Sequence, residues 1–138
     1  MKHYVCRGCG NLIAMINDTG RRIGCCGENM HELTPNSVDA SREKHQPTIA
    51  QAGDVVTVTV GEAGNMHPQL PEHAISWVCL ITTGGSQRKM LTPDGKAEAK
   101  FYLAPGEKVV KAFAYCNLHG LWVAECKSDG CCDSAKRA

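Results

Sequence analysis

Nine cysteines in a chain of 138 residues constrain this protein more than any other feature of its sequence. In an oxidising compartment such a count makes a disulfide framework; in a reducing one it means metal or redox chemistry. Nine is odd, so a scaffold made purely of disulfides would leave one thiol over. Met1-Lys2-His3-Tyr4-Val5-Cys6 opens directly into a cysteine motif with no apolar segment of signal-peptide type. We therefore expect a cytoplasmic protein whose cysteines bind metal. Net charge is +1 with Lys and Arg scattered. No basic stripe of the kind nucleic acid demands is present, and that partner is not expected. The apolar runs are far shorter than a membrane span, so no membrane partner is expected either.

The cysteines also divide the chain. Residues 1 to about 36 hold four of them and few large apolar side chains. A piece that short folds only with help from a metal, disulfides or a partner chain. Leu33-Thr34-Pro35-Asn36-Ser37 reads as a linker. The expected organisation is a four-cysteine domain over 1–36, a second domain over 37–127, and a polar tail over 128–138 carrying Cys131-Cys132. Beyond the linker the texture is all-β. Asp54–Val60 alternates and is rich in β-branched residues. Further strands are predicted over 73–83, with Ile75, Trp77, Cys79 and Ile81 on one face, and over 97–103, 109–116 and 121–126. Turns such as Thr83-Gly84-Gly85 and Pro93-Asp94-Gly95 separate them. No long amphipathic helix is evident. Short strands at this spacing predict an antiparallel β-sandwich. Cys79 and Cys126 are expected to be buried apolar residues.

Two sets of residues carry chemistry. Cys6-Arg7-Gly8-Cys9 is a C-x-x-C knuckle, and Cys25-Cys26-Gly27 follows after fifteen intervening residues. Four thiolates hold one tetrahedral ion, and soft sulfur selects iron or zinc. A structural zinc ribbon or two disulfides are the competing readings, but ribbons commonly pair two C-x-x-C knuckles, and adjacent cysteines in the second half favour iron. Gly8, Gly10 and Gly27 suit tight turns that bring backbone amides to the sulfurs. The second set lies in three turn-bounded segments: Glu43-Lys44-His45-Gln46-Pro47, His67-Pro68-Gln69-Leu70-Pro71-Glu72-His73, and Cys116-Asn117-Leu118-His119-Gly120-Leu121-Trp122. Any one histidine is more often a surface or core residue than a ligand, and His3 and His31 are read that way. Four histidines and a cysteine together are different. A structural zinc site stops at four ligands. Five candidates suggest a larger coordination number with one position open, which suits redox iron.

These motifs resemble known proteins. The Cys6, Cys9, Cys25, Cys26 pattern with Cys25-Cys26-Gly27-Glu28-Asn29-Met30 is similar to desulforedoxin. The three histidine-bearing segments, including His73-x-Ile75-x-Trp77, are similar to superoxide reductase. In series they resemble the desulfoferrodoxin family, the two-iron form of that enzyme, over residues 4 to about 126. The family pattern often has Met where this chain has Gln69, and Cys131-Cys132 lie outside it. The resemblance implies iron at both sites and an immunoglobulin-like fold for the sandwich. It implies that His45, His67, His73 and His119 bind in a plane with Cys116 axial and the position opposite the sulfur open. It further implies one-electron reduction of superoxide to hydrogen peroxide, an electron donor such as rubredoxin, and a homodimer. Lys44, beside His45, is placed to add positive charge and help organise protons for the anion. Glu43 is implied as an occupant of the open position in the ferric state. A superoxide dismutase, a plain electron carrier and a structural zinc protein are the competing functions.

Overall fold

Alternating and β-branched runs become strands across the described residues 1–38, 42–62 and 64–126 of the computed structural model. The polar tail with Cys131-Cys132 lies outside them. The chain divides into two units, Met1–Thr34 and Pro35–Ala138.

In the first unit, β1 (Lys2–Val5) is the middle strand of an antiparallel sheet, between β2 (Leu12–Met15) and β5 (His31–Glu32). A separate ribbon pairs β3 (Gly24–Cys25) with β4 (Glu28–Asn29). His3 is fully buried here and His31 half-buried.

The second unit opens with one helical turn, α1 (Arg42–His45). It continues as β6 (Pro47–Ala52), β7 (Val55–Glu62), β8 (Asn65–Met66), β9 (Ile75–Thr82), β10 (Gly85–Met90), β11 (Glu98–Tyr102), β12 (Val109–Cys116) and β13 (Gly120–Glu125). One sheet has the order β10-β9-β12-β13. The other has the order β11-β7-β6, with β8 added to β7. The pairings are antiparallel. Val56, Val58 and Val60 of β7 and Phe101 of β11 meet Val78 and Leu80 of β9 and Ala112, Ala114 and Cys116 of β12 in one apolar core. This is the all-β sandwich that the alternation predicts. Three of its strands, β6, the two-residue β8 and β10, are absent from that reading. β10 is polar and exposed, and β6 begins with a proline, as an edge strand permits but a central strand does not.

The expected face of β9 needs correction. Pairing with β12 runs from Tyr115↔Trp77 to Cys116↔Ile75, leaving Ser76 unmatched. Such a bulge reverses the alternation at that point. Ile75 therefore joins Val78 and Leu80 in the core. Trp77 packs elsewhere: its ring lies 5.7 Å from Tyr115 at 9°, and the Arg88 guanidinium sits 4.7 Å from its centroid. Cys126 also departs from expectation. It follows β13, is half-buried and is disulfide-bonded. A thiol at a strand end is not sealed as mid-strand Cys79 is, and only Cys79 is the buried free cysteine anticipated. Among the described residues no helix is long and apolar enough to cross a membrane.

Phe101 is fully buried between the sheets. Phe101→Ala should cost about 3–5 kcal/mol, the range for emptying a large aromatic site in a packed core. Denaturant unfolding should show the midpoint fall without a change in slope.

Candidate metal centres

In the first unit, two turns bring four sulfurs together. Cys6 and Cys9 lie on the turn between β1 and β2, which closes through Gly10 N–H to Cys6 O at 2.8 Å and Cys6 N–H to Asn11 O at 2.8 Å. Cys25 pairs with Glu28, so Cys26 and Gly27 form the two-residue loop of the β3–β4 ribbon. Both have positive φ, 53° and 78°. Two successive left-handed residues make a type I′ turn, and Gly27 takes that conformation without strain where Cys26 does not. A Cβ on Gly8 would come within 2.9 Å of Cys26 Cβ, so the knuckles meet this closely only because residue 8 is glycine.

The sulfurs of Cys6, Cys9, Cys25 and Cys26 all lie within 4.8 Å of one another, with Cys9 and Cys25 at 3.6 Å. A tetrahedron with metal–sulfur bonds of about 2.3 Å has edges of ~3.8 Å, so one ion fits. The electrostatics agree. Donors from the Cys9 backbone and the Cys25 thiol lower Cys6 to about 6. The neighbouring Cys6 and Cys9 sulfurs drive Cys25 up to about 12, and Cys9 and Cys6 raise Cys26. Thiols this crowded do not all ionise together unless a cation takes their place as partner. Asn11 Nδ2 donates to Cys25 Sγ at 3.7 Å. His3 and His31 belong to neither cluster.

The second cluster is assembled from four separate pieces of the sandwich unit. His45 ends α1. His67 follows β8, its N–H bonded to Val60 O at 2.9 Å. His73 precedes β9. Cys116 ends β12, and His119 lies in the turn that returns to Gly120, whose φ is 78°. His45, His73, Cys116 and His119 place their donor atoms within 4.8 Å of one another. His67 completes the set, with Nε2 3.4 Å from Cys116 Sγ. The four imidazoles form a closed square. Ring centroids around its perimeter are 4.8 Å (His45–His67), 4.6 Å (His67–His73), 5.1 Å (His73–His119) and 4.6 Å (His119–His45), each pair nearly edge to face. The His45–His73 diagonal is 6.1 Å.

Donor atoms are specified as well. His67 Nδ1 lies 2.6 Å from Pro68 O, and an N–H there leaves Nε2 as the free lone pair. His45 Nε2 and His119 Nδ1 stand 2.9 Å apart. Two nitrogens each about 2.1 Å from a shared ion sit ~3.0 Å apart when at right angles to each other. His73 Nε2 is buried and has no hydrogen-bond partner. An orphaned buried nitrogen is costly unless a ligand uses it. Burial pushes His67 down to about 4 and lowers His73, which keeps the neutral, ligating form. Burial raises the Cys116 thiol, while the backbone N–H groups of Leu118 and His119 pull it back. The fully buried indole of Trp122 stacks on His45, 5.0 Å between centroids at 26°. Trp122 closes the third sequence motif, but its place against His45 follows only once β12 and β13 pair. Lys44 is exposed on α1 beside His45. Glu43 lies on the same turn, and its side chain is outside the described residues.

The desulfoferrodoxin family profile matches residues 37–125. Desulfoferrodoxin from Syntrophotalea carbinolica is 41% identical over 122 residues, covering 88% of this chain and 94% of that protein. The Nitratidesulfovibrio vulgaris desulfoferrodoxin is 39% identical over 122 residues with the same coverage. Among solved structures, the superoxide reductase from Treponema pallidum superposes with a TM-score of 0.75 at 36% identity, covering 89% of this chain and 98% of that one.

The lowered His67 gives a pH dependence to the metal-free sandwich. Unfolded, this imidazole takes a proton near its ordinary 6.5; folded, it resists until about 4. The unfolded state then binds more protons across that window, and stability falls as pH drops from 6.5 towards 4. Unfolding of the metal-free chain across this range should show the loss, and His67→Gln should flatten it.

Proposed function

The chain belongs to the desulfoferrodoxin family, and we propose on that footing that it is a superoxide reductase. One superoxide takes one electron and two protons and leaves as hydrogen peroxide. The observation that carries this reading is the square of four imidazoles backed by one buried thiol. In this reading His45, His67, His73 and His119 supply four nitrogens and Cys116 one sulfur. Five donors leave one position of an octahedral ion for a substrate, whereas the four thiols of the first centre leave none. The first centre, Cys6, Cys9, Cys25 and Cys26, holds an iron that exchanges electrons only. When held by the five donors of the second centre, ferrous iron would supply the single electron.

The protein's own groups do the rest. The backbone amides of Leu118 and His119 favour the thiolate of Cys116 in a site where burial opposes it. The Pro68 carbonyl sets the His67 tautomer. Cys116 is fully buried while His73 and His119 retain exposure, which supports approach of the anion from the side away from sulfur. Lys44, exposed beside His45, attracts superoxide and orients water that delivers protons to the departing product. Glu43, as the resemblance implies, would be the carboxylate available to the ferric ion between turnovers. Cys6, Cys9, Cys25, Cys26 and Cys116 must stay as free thiols to hold metal, as they stand here, and this supports a reducing, cytoplasmic location even though Cys126, outside both clusters, is disulfide-bonded. A small carrier such as rubredoxin as donor and a homodimeric assembly complete the proposal. The residue limits 1–36 and 37–127 remain our proposed division between the electron-transfer domain and the reductase domain.

Two measurements test this. Reduced anaerobically and mixed with known superoxide, the protein should yield one peroxide per superoxide, no oxygen, and loss of ferrous iron in step. Oxygen with half as much peroxide would instead indicate a dismutase. Lys44→Ala should slow the bimolecular reaction by about tenfold or more and weaken its dependence on ionic strength, as loss of electrostatic steering requires. An unchanged rate across salt concentrations removes Lys44 from the mechanism.

A further inference from the structure

His73 sits on a stretch of backbone that the sheet does not hold. β9 begins only at Ile75, and the bulge at Ser76 interrupts its ladder with β12 immediately after. The Glu72 carbonyl and the backbone N–H and C=O groups of residues 73 to 75 are nonetheless bonded, four of these seven groups by two side-chain amides that take the place of the missing strand. Asn117 accepts from Ala74 N–H through Oδ1 at 3.0 Å and donates from Nδ2 to Glu72 O at 3.1 Å. Its own N–H reaches Ala74 O at 3.1 Å. On the other side, Gln69 accepts from Ile75 N–H through Oε1 at 2.6 Å. Its Nε2 donates to Ile75 O at 3.1 Å and Thr92 O at 3.2 Å. Between these anchors His73 pairs with Leu70, N–H to O at 3.1 Å and O to N–H at 2.9 Å.

The geometry points to a two-amide latch: Gln69 and Asn117 are positioning residues that fix His73 in the imidazole square. Asn117 lies between Cys116 and His119, so its bonds tie the turn carrying those two donors directly to the loop carrying His73. Gln69 lies between His67 and His73, and grips Ile75, the cross-strand partner of Cys116. All five donors except His45 are thereby referenced to the same pair of amides. His73 needs such support. Its Nε2 is buried without a hydrogen-bond partner, so no bond at that atom orients the ring in the absence of an ion. Groups that orient a ligand in this way typically govern metal affinity by about 10–100-fold.

The latch rests on the reading of the second cluster as a metal centre, and cobalt separates the two. Co(II) titrated into the metal-free full-length chain reports each centre by absorption, because four-sulfur and one-sulfur ligation give different charge-transfer bands. Gln69→Leu, Asn117→Ala and the double variant should bind cobalt at least about tenfold more weakly at the histidine centre, with the four-cysteine centre unchanged as an internal reference. Gln69→Glu and Asn117→Asp keep the acceptor oxygens and should fall between these variants and the parent chain. Affinity within twofold of the parent in the double variant overturns the latch. So does an equal loss at both centres, which would reflect global destabilisation. If the double variant does not fold, the single variants carry the same comparison. A parent chain that takes cobalt only at the four-cysteine centre would overturn the metal reading itself.

Discussion

The buried sulfur of Cys116 is the fixed point on which the sandwich's site depends. It lies wholly inside the core, at the end of β12, among the same apolar side chains that hold the two sheets together. Cross-strand pairing with Ile75 and hairpin pairing with Gly120 fix its backbone on both sides. A thiol in that place is disfavoured as an anion by desolvation, and only the turn's own amides and a cation offset this. The imidazoles then gather around a donor that does not move. The sandwich thus serves as a rigid stand, and the loops at one end present the chemistry.

The two centres solve the same physical problem with different means. Four thiols in the first unit repel one another's ionisation, and a single ion resolves that repulsion while tying two short turns together. A unit of this size has little apolar surface to bury, so ligation and folding are one event there. The second centre sits on a unit with a continuous core, and burial keeps two of its imidazoles, His67 and His73, in the neutral form. Ligation at that centre is a property added to a fold that already stands. This difference fits the proposal of closed electron exchange at one site and substrate chemistry at the other.

Much of this was readable beforehand, and the reasons are specific. Cys6-x-x-Cys9 with Cys25-Cys26 is a local pattern whose geometry is set by two turns, and turn chemistry is written in the residues themselves. The strands over β7, β11, β12 and β13 were legible because each has one buried face and one exposed face. β9 was legible as a strand but not in its facing, because an unpaired Ser76 shifts the phase and depends on the partner strand. β6 opens on a proline and β10 is almost wholly exposed and mostly polar, so neither carries a strong apolar alternation. Gln69 carried no signal of a role, since an amide in a Pro-rich turn is ordinary until the carbonyls it meets are known.

The sequence by itself determined which atoms are available: four thiols in two knuckles, and four histidines with a cysteine in three turn-bounded motifs. Covalent spacing confines each motif to a turn, so the identity of the donors and the kind of ion they suit follow from local chemistry. Only the tertiary structure decided how donors 74 residues apart, His45 and His119, come to stand 2.9 Å from each other. It also decided that Trp122 backs His45 and that two amides bond the backbone at Ala74 and Ile75, just after His73. Those contacts arise from sheet pairing and core packing between distant segments, and no local property of a chain encodes the distance between strands it has not yet paired.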